Sequence, residues 1–477
     1  RQGTAMEEWP DRLSDKLVSN LSRAASAVKK AKNAELITHI DADGITSGAI
    51  SDITLDRLGI PHKIAFEKKI TEETIERVNS SDADLIWISD LGSGYLSEFK
   101  RSNIVITDHH VPDPKFRRSQ TSIDQFVEIF HLNPHNYGVN GSYEICGAGM
   151  TYLLSRTIDP NNIDLAYLGI IGAVGDFQDN RYSQLISYNR IVLDDAVKNG
   201  DISVDTDLRF FGRESRPLLQ YLQYASDPEI LGLTNNRDNC ARFYSEMCIP
   251  LKDGEDTRVW DDLSPEEKIA VTDALLNKVS EPELRERMYG EVYSLPKFDP
   301  HTGLRDSKEF ATILNSCGRY DDAETGLRIC KGDLSALKDA ERNRSDHRRN
   351  ISLALSYVKE NHLVRERRFI QYFDAGSEIR ETVVGIVAGM LLNSDSVRHE
   401  LPMIAFAESD DGVKVSARAN RELTDRGLDL SFIMKKASEL VGGYGGGHNV
   451  AAGATIPEDK KEAFLDIVED LVSAQLI

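Results

Sequence analysis

The chain has 477 residues, a formal net charge of −21, 40% hydrophobic residues and 28% charged residues. It is too long for a single hydrophobic core, so two or three soluble globular domains are expected, and so acidic a balance argues against a partner bound by overall charge alone. Cys146, Cys240, Cys248, Cys317 and Cys330 are scattered with no Cys-x-x-Cys, which argues against a disulfide framework or thiolate zinc site and predicts core cysteines.

Arg1–Ala5 stand before Met6 as an expression remnant would. With no apolar run near eighteen residues and no visible signal peptide, a cytoplasmic protein without a membrane partner is expected. Leu13, Leu17, Leu21, Ala24 and Val28 recur at helical spacing and predict a helix over 11–32. From 35 to about 135, apolar strand-like runs (36–40, 63–66, 85–89, 104–107, 126–130) alternate with helical ones (45–58, 71–79). That alternation predicts a parallel sheet with helices on both faces. Gly147–Gly149 open a further helix, and 165–174 reads as a helix ending at Gly175-Asp176. Residues 196–300 are acidic and mostly helical, with Ser264, Pro265 and Glu267 spaced as a capping box. A second α/β pattern follows from 301, with strands near 369–373, 403–407 and 413–417, a helix near 382–392, and the closing run Gly442–His448. The expected domains are therefore 1–195, 196–300 and 301–477. Within the last, residues 331–370 hold ten Lys or Arg against six acids, among them Arg344, Arg348, Arg349 and Arg367. The segment reads either as a solvated helix face or as a path for a polyanion.

The chemistry gathers where apolar runs break into Asp and His. If His39-x-Asp41-x-Asp43 is extended, alternate side chains point the same way and converge beyond the strand. The same residues also fit an Asx turn. Asp90 ends the run Leu85–Ser89, Asp108-His109-His110 end another, and Asp176 follows Gly172–Gly175. One such carboxylate is an ordinary cap. Five carboxylates meeting at one end of a sheet would repel one another unless cations joined them, and oxygen ligands with one or two imidazoles suit Mg²⁺ or Mn²⁺.

In order and spacing, His39-x-Asp41-x-Asp43, Asp90, Asp108-His109-His110 and Asp176 resemble the four motifs of the DHH phosphoesterase superfamily. Val415-Ser416-Ala417-Arg418 and Gly445-Gly446-Gly447-His448 resemble the DHH-associated C-terminal domain. Leu132–His135 with Gly141–Glu144, and Leu314–Arg319, look most like archaeal RecJ-type single-strand exonucleases. The resemblance implies a catalytic cleft between the parallel-sheet domain and the C-terminal α/β domain. It also implies two Mn²⁺ or Mg²⁺ ions. Asp41 and Asp90 would hold one with His39 close by; Asp43, Asp90, His109 and Asp176 would hold the other, which makes Asp90 the bridge. His110 would face the scissile phosphate and Asp108 would orient the imidazoles, while Ser416, Arg418, Gly446, Gly447 and His448 would grip the nucleotide. The implied activity is release of mononucleotides from single-stranded DNA or RNA in replication or repair, with the GINS complex and the PCNA clamp as associated partners. Gln120-x-x-Ile123-x-x-Phe126 faintly resembles a clamp-binding peptide. Three alternatives stand beside this reading: a nanoRNase or cyclic-dinucleotide phosphodiesterase, disfavoured by the extra residues 196–300; a non-catalytic scaffold binding GINS; and a pyrophosphatase, disfavoured by the Gly-Gly-Gly-His tail.

Overall fold

The computed structural model describes residues 11–113 and 127–476, and the chain divides between Glu341 and Arg342 into two units. In the first, helix α1 (Asp15–Lys30) starts at Ser14, whose hydroxyl accepts from the Leu17 N–H, and buries Leu17, Leu21, Ala24 and Val28. Strands β1 (Ala34–His39), β2 (His62–Glu67), β3 (Leu85–Ser89), β4 (Ile104–Thr107) and β5 (Ile129–Leu132) form an all-parallel sheet in the order β2-β1-β3-β4-β5. Strand alternation sends Leu36, Trp87 and Val105 to one face and Ile37, Ile86, Ile88 and Ile106 to the other. Helices α2 (Ala42–Leu58), α4 (Gly147–Ile158) and α5 (Ala166–Gly175) cover the first face. α3 (Glu72–Ser80), through Val78, packs on the second. The strand order reverses between β1 and β3, so their carboxyl ends open side by side, where α/β sheets form their crevice.

α2 begins at Ala42 rather than Ile45, because Asp41 is its N-cap and accepts from the Gly44 N–H at 2.8 Å. The extended His39-x-Asp41-x-Asp43 reading is thereby corrected: His39 ends the strand, Asp41 caps the helix and Asp43 sits in its first turn. β5 starts at Ile129 rather than at 126. The clamp-like peptide Gln120–Phe126 lies outside the described residues.

After α6 (Ser187–Lys198), β6 (Ser203–Leu208) pairs antiparallel with β7 (Tyr289–Ser294), a two-stranded sheet in a region that reads from sequence as mostly helical. Between them a separate core gathers around Tyr221, Tyr244 and Trp260. The capping box at 264–267 forms, with Ser264 and Glu267 bonding reciprocally at 3.2 and 2.8 Å. Helices α7 (Ser307–Arg319) and α8 (Ala323–Cys330) bury Phe310, Leu314, Cys317 and Ile329 in the core of the parallel sheet. The expected boundary at 301 thus differs from the structural division at 341, because these amphipathic helices complete the first core. Cys146, Cys240, Cys317 and Cys330 are buried and Cys248 is exposed.

Helix α9 (Ala336–Glu360) carries the division. The second unit holds β8 (Arg365–Glu366), β9 (Gln371–Asp374), β10 (Met403–Ser409), β11 (Gly412–Arg418), β12 (Tyr444–Gly447) and β13 (Ala451–Ile456), ordered β8-β9-β10-β11-β13-β12. Only β9 and β10 run parallel. Helix α10 (Glu381–Leu392) covers one face through Val384, Val387 and Leu391. α11 (Leu430–Leu440) and α12 (Lys461–Leu476) cover the other, around Phe406 and Phe464. No helix of the described residues is long and apolar enough to cross a membrane.

Candidate metal centre

Six side chains converge at the carboxyl end of β1, β3 and β4. His39 Nδ1 lies 2.9 Å from Asp41 Oδ2 and 3.5 Å from Asp90 Oδ2. His109 Nε2 lies 3.1 Å from Asp90 Oδ1, 3.3 Å from Asp176 Oδ2 and 3.4 Å from Asp43 Oδ2. Ligand atoms of His39, Asp41 and Asp90 fall within 4.8 Å of one another, as do those of Asp43, His109 and Asp176. Asp176 arrives from the C-terminal end of α5, as the helical reading of 165–174 predicts. Asp90 lies between the two groups on a backbone with φ of 56°, a left-handed conformation uncommon for residues other than glycine.

Both oxygens of Asp90, His109 Nε2 and His39 Nδ1 are buried without a hydrogen-bond partner. Buried polar atoms are almost always paired, and orphans that all face one point fit divalent cations. His109 Nδ1 lies 2.6 Å from the Gly141 carbonyl, which can only accept, so Nδ1 carries the proton and Nε2 turns its lone pair inward. The electrostatics carry the same signature of missing positive charge. Burial and the Asp90 carboxylate push Asp43 up to about 8, and burial and Asp43 push Asp176 up to about 7. Burial works against charging His39, but Asp41 and Asp90 raise it to about 11.

Asp108 and His110 form a second motif beside the first. Asp108 is fully buried and accepts from the Ser93 and His109 N–H groups at 3.0 and 2.8 Å. Burial alone would raise its carboxyl, but the His110 imidazole 2.7 Å away, with His109 beyond it, holds it well below the usual range. The bond to Asp108 in turn raises His110 to about 9, and more than half of the His110 side chain stays exposed.

Several supporting residues gave no sign in the sequence as chemistry. Asp43 accepts from the Gly147 and Ala148 N–H groups at 2.8 and 2.7 Å, so the N-terminus of α4 steadies its charge. A Cβ on Gly147 would come within 2.8 Å of Asp90, and one on Gly318 within 1.9 Å of the Ile40 carbonyl. Asn315 Oδ1 accepts from the Ala42 N–H at 2.8 Å and fixes the turn between Asp41 and Asp43. Gln178 donates to the Gly141 carbonyl at 2.9 Å, and Asn133 donates to the His110 carbonyl at 2.8 Å. Only their positions in Leu132–His135 and Leu314–Arg319 could have drawn attention to Asn133, Asn315 and Gly318.

In the second unit, Ser416 and Arg418 lie on β11, where Ser416 pairs with Gly453. Gly446 and Gly447 pair with Gly453 and Ala452 across β13. His448 closes the turn between β12 and β13, its N–H bonding the Ala451 carbonyl at 2.9 Å. Arg418 donates to the Ala417 carbonyl at 2.8 Å, and a Cβ on Gly385 would meet its guanidinium at 2.5 Å and Ser416 Oγ at 3.0 Å. Glycine at 385 therefore lets α10 lie against this pair.

The DHHA1 domain family matches residues 366–474 and the DHH-CID domain family residues 210–288. An uncharacterised protein of Methanocaldococcus jannaschii is 28% identical over 450 residues, which cover 92% of this chain and 93% of that one. Among solved structures, exonuclease RecJ bound to manganese superposes with a TM-score of 0.53 at 16% identity, over 97% of this chain and 96% of that one. RecJ of Thermus thermophilus in complex with Mn²⁺ gives 0.54 at 16% identity, over 96% of this chain and 55% of that one. CDC45 from Entamoeba histolytica gives 0.59 at 12% identity, over 96% of this chain and 98% of that one. The chain thus carries a DHHA1 and a DHH-CID family domain. Its architecture is RecJ-like, a parallel-sheet DHH fold followed by a DHHA1 domain with a mixed sheet.

Proposed function

We propose that this protein is a two-metal phosphodiesterase that removes mononucleotides from an end of single-stranded DNA or RNA. The observation that carries the reading is the convergence of buried, unpartnered oxygens and imidazole nitrogens of Asp90, His109 and His39 on one point. His39, Asp41 and Asp90 would hold one Mn²⁺ or Mg²⁺, and Asp43, Asp90, His109 and Asp176 the other. Bound there, such a pair supplies a nucleophilic hydroxide at neutral pH and offsets the charge that develops on the leaving oxygen.

The remaining steps belong to the chain itself. Asp108 ties down His110 Nδ1 and keeps the imidazole protonated near neutral pH, so its Nε2–H can donate to a phosphate oxygen. Gly141 fixes the tautomer of His109, and the N-terminus of α4 fixes Asp43. Ser416, Arg418, Gly446, Gly447 and His448 are the proposed nucleotide-binding set, with glycine backbones allowing close approach to a phosphate. RecJ-like nuclease structures with manganese support the fold side of this reading.

A second reading is a non-catalytic scaffold that binds GINS, favoured by the likeness in fold to CDC45. The complete set of candidate ligands weighs against it. Digestion of 5′- and 3′-labelled single strands of both sugars with Mn²⁺, beside Asp90→Ala, decides the matter. Mononucleotide release by the unaltered protein alone is expected. No cleavage together with tight GINS binding would establish the scaffold, and activity confined to the shortest oligonucleotides would mean a nanoRNase.

A further inference from the structure

Four large apolar side chains remain exposed on segments that leave the candidate ligands. Phe177, 67% exposed, directly follows Asp176, and Val111, 76% exposed, directly follows His110. Tyr95 and Tyr182 stand a few residues beyond Asp90 and Asp176 and are also exposed. Single exposed hydrophobics are ordinary, but these recur on the loops that carry the charged centre.

Phe177 is the costliest of them. Its φ of 58° lies in the left-handed region, where the β-carbon of a bulky residue is crowded, and no burial of the ring compensates. An aromatic residue kept both strained and exposed points to use. Its turn is pinned, with the Phe177 and Gln178 N–H groups bonding the Val174 and Ala173 carbonyls at 3.0 Å each. The Gln178 amide donates to the same Gly141 carbonyl that receives His109. The ring therefore stands on backbone rigidly tied to a candidate ligand.

Arg181, on the same turn, lies 4.3 Å from the Tyr143 ring centroid and 5.5 Å from that of Tyr182, and the two rings meet edge-on at 6.1 Å. Among the described residues no carboxylate pairs with it. A guanidinium on aromatic faces can stack on a base or bind a phosphate.

We infer that Phe177, with the Tyr143–Arg181–Tyr182 cluster, is a stacking platform that holds the base of a nucleotide beside the scissile phosphate. The inference rests on reading the metal centre as a phosphodiesterase site. Stacking tolerates any base, because every base has a π face. It also draws affinity from a source other than phosphate charge, which suits a chain with a net charge of −21.

Fluorescence anisotropy tests it, with Ca²⁺ replacing Mn²⁺ to hold off cleavage. A single strand is compared with the same strand carrying abasic terminal nucleotides. The unaltered protein should prefer the base-bearing strand about tenfold, in line with stacking of one base. Phe177→Ala should collapse that preference, and Phe177→Trp should restore it. In cleavage assays with Mn²⁺ the change should fall on KM rather than kcat. Arg181→Ala and Tyr182→Ala carry the comparison should Phe177→Ala misfold. Absence of any base preference in the unaltered protein, or equal loss of affinity for both strands in Phe177→Ala, overturns the platform. The phosphodiesterase reading fails separately, by absence of hydrolysis of every strand while anisotropy still reports the base preference.

Discussion

At the carboxyl end of the parallel sheet the buried oxygens of Asp90 have no hydrogen-bond partner and face imidazole nitrogens at 3.1 and 3.5 Å, whereas in the middle region the buried carboxylates of Asp207 and Glu309 are hydrogen-bonded. There Arg213 meets Asp207 and Asp261 at 3.1 Å each and Asp306 at 3.4 Å. Trp260 Nε1 and Lys268 add donors to Asp207. Perturbed acidity does not tell the two regions apart. Burial with Asp306 pushes Glu309 up to about 8, much as burial with Asp90 pushes Asp43 up to about 8. Partnership does. Glu309 accepts from Ser215 and from the Glu214 N–H, so both of its oxygens are partnered, while neither oxygen of Asp90 has a hydrogen-bond partner. A buried carboxylate with both oxygens partnered argues for structure, and one with neither argues for a ligand.

Exchanging the two kinds of substitution should split stability from activity, and this is the largest expected effect. Arg213→Ala removes the buried cation that Asp207, Asp261 and Asp306 share and should cost ~3–5 kcal/mol, read as an earlier denaturant midpoint. Asp90→Asn removes a charge that repels its neighbours. It should leave the melting temperature in EDTA unchanged or higher, while mononucleotide release falls ~10²–10³-fold. A destabilised Asp90→Asn in EDTA would mean that its carboxylate has a structural partner after all.

Metal addition sharpens the contrast. Mn²⁺ at a hundredfold excess over Kd should stabilise the protein by about 2.7 kcal/mol, and Asp90→Asn should abolish most of that gain. Protons must leave as cations enter. Asp43 is raised to about 8 and Asp176 to about 7, so both are partly protonated at pH 7 and shed their protons as pH rises through those values. Mn²⁺ affinity should therefore climb between pH 6 and 8. Calorimetry in buffers of different ionisation heat should show proton release whose share from Asp43 and Asp176 shrinks towards pH 9, while the share from His39, raised to about 11, persists. A pH-independent affinity would break the assignment of these carboxylates as ligands.

Smaller effects separate the ligands from their supports. Gly147→Ala pushes a methyl group against Asp90, and Asn315→Ala leaves the Ala42 N–H without its acceptor. Loss of that one hydrogen bond costs about 1 kcal/mol. It should appear as roughly fivefold weaker Mn²⁺ binding, with the circular dichroism spectrum unchanged. These supports also mark the limit of what the sequence discloses. His39, Asp90, Asp108 and His109 could be read from it because apolar strands that end in charge leave few structures open. Gly147, Gly318 and Asn315 act through space and backbone, contacts that no local pattern records. The extended reading of His39–Asp43 failed for a related reason: the Asp41 side chain caps α2 and turns the chain before Asp43 is reached. The strand pair β6–β7 escaped notice because its partners lie some eighty residues apart and the stretch between them is mostly helical.

The basic stretch 331–370 offers the mildest test, since Arg213 is held by internal carboxylates and the cationic groups of the Asp90 site are imidazoles. Most of the stretch forms α9, on which Arg348 and Arg349 are exposed. Arg367 is excluded as a phosphate ligand, because Glu462 and Asp466 hold it at 2.8 and 2.7 Å. Two arginines that each neutralise a phosphate contribute about 0.7 apiece to the slope of log affinity against log salt for a single strand. Arg348→Glu with Arg349→Glu should therefore flatten that slope by about 1.4 for long strands and leave dinucleotide cleavage little changed. Equal weakening of both substrates would place the arginines in the structure of α9 rather than on a strand path. An unchanged slope would leave the phosphate contacts to Ser416, Arg418 and His448.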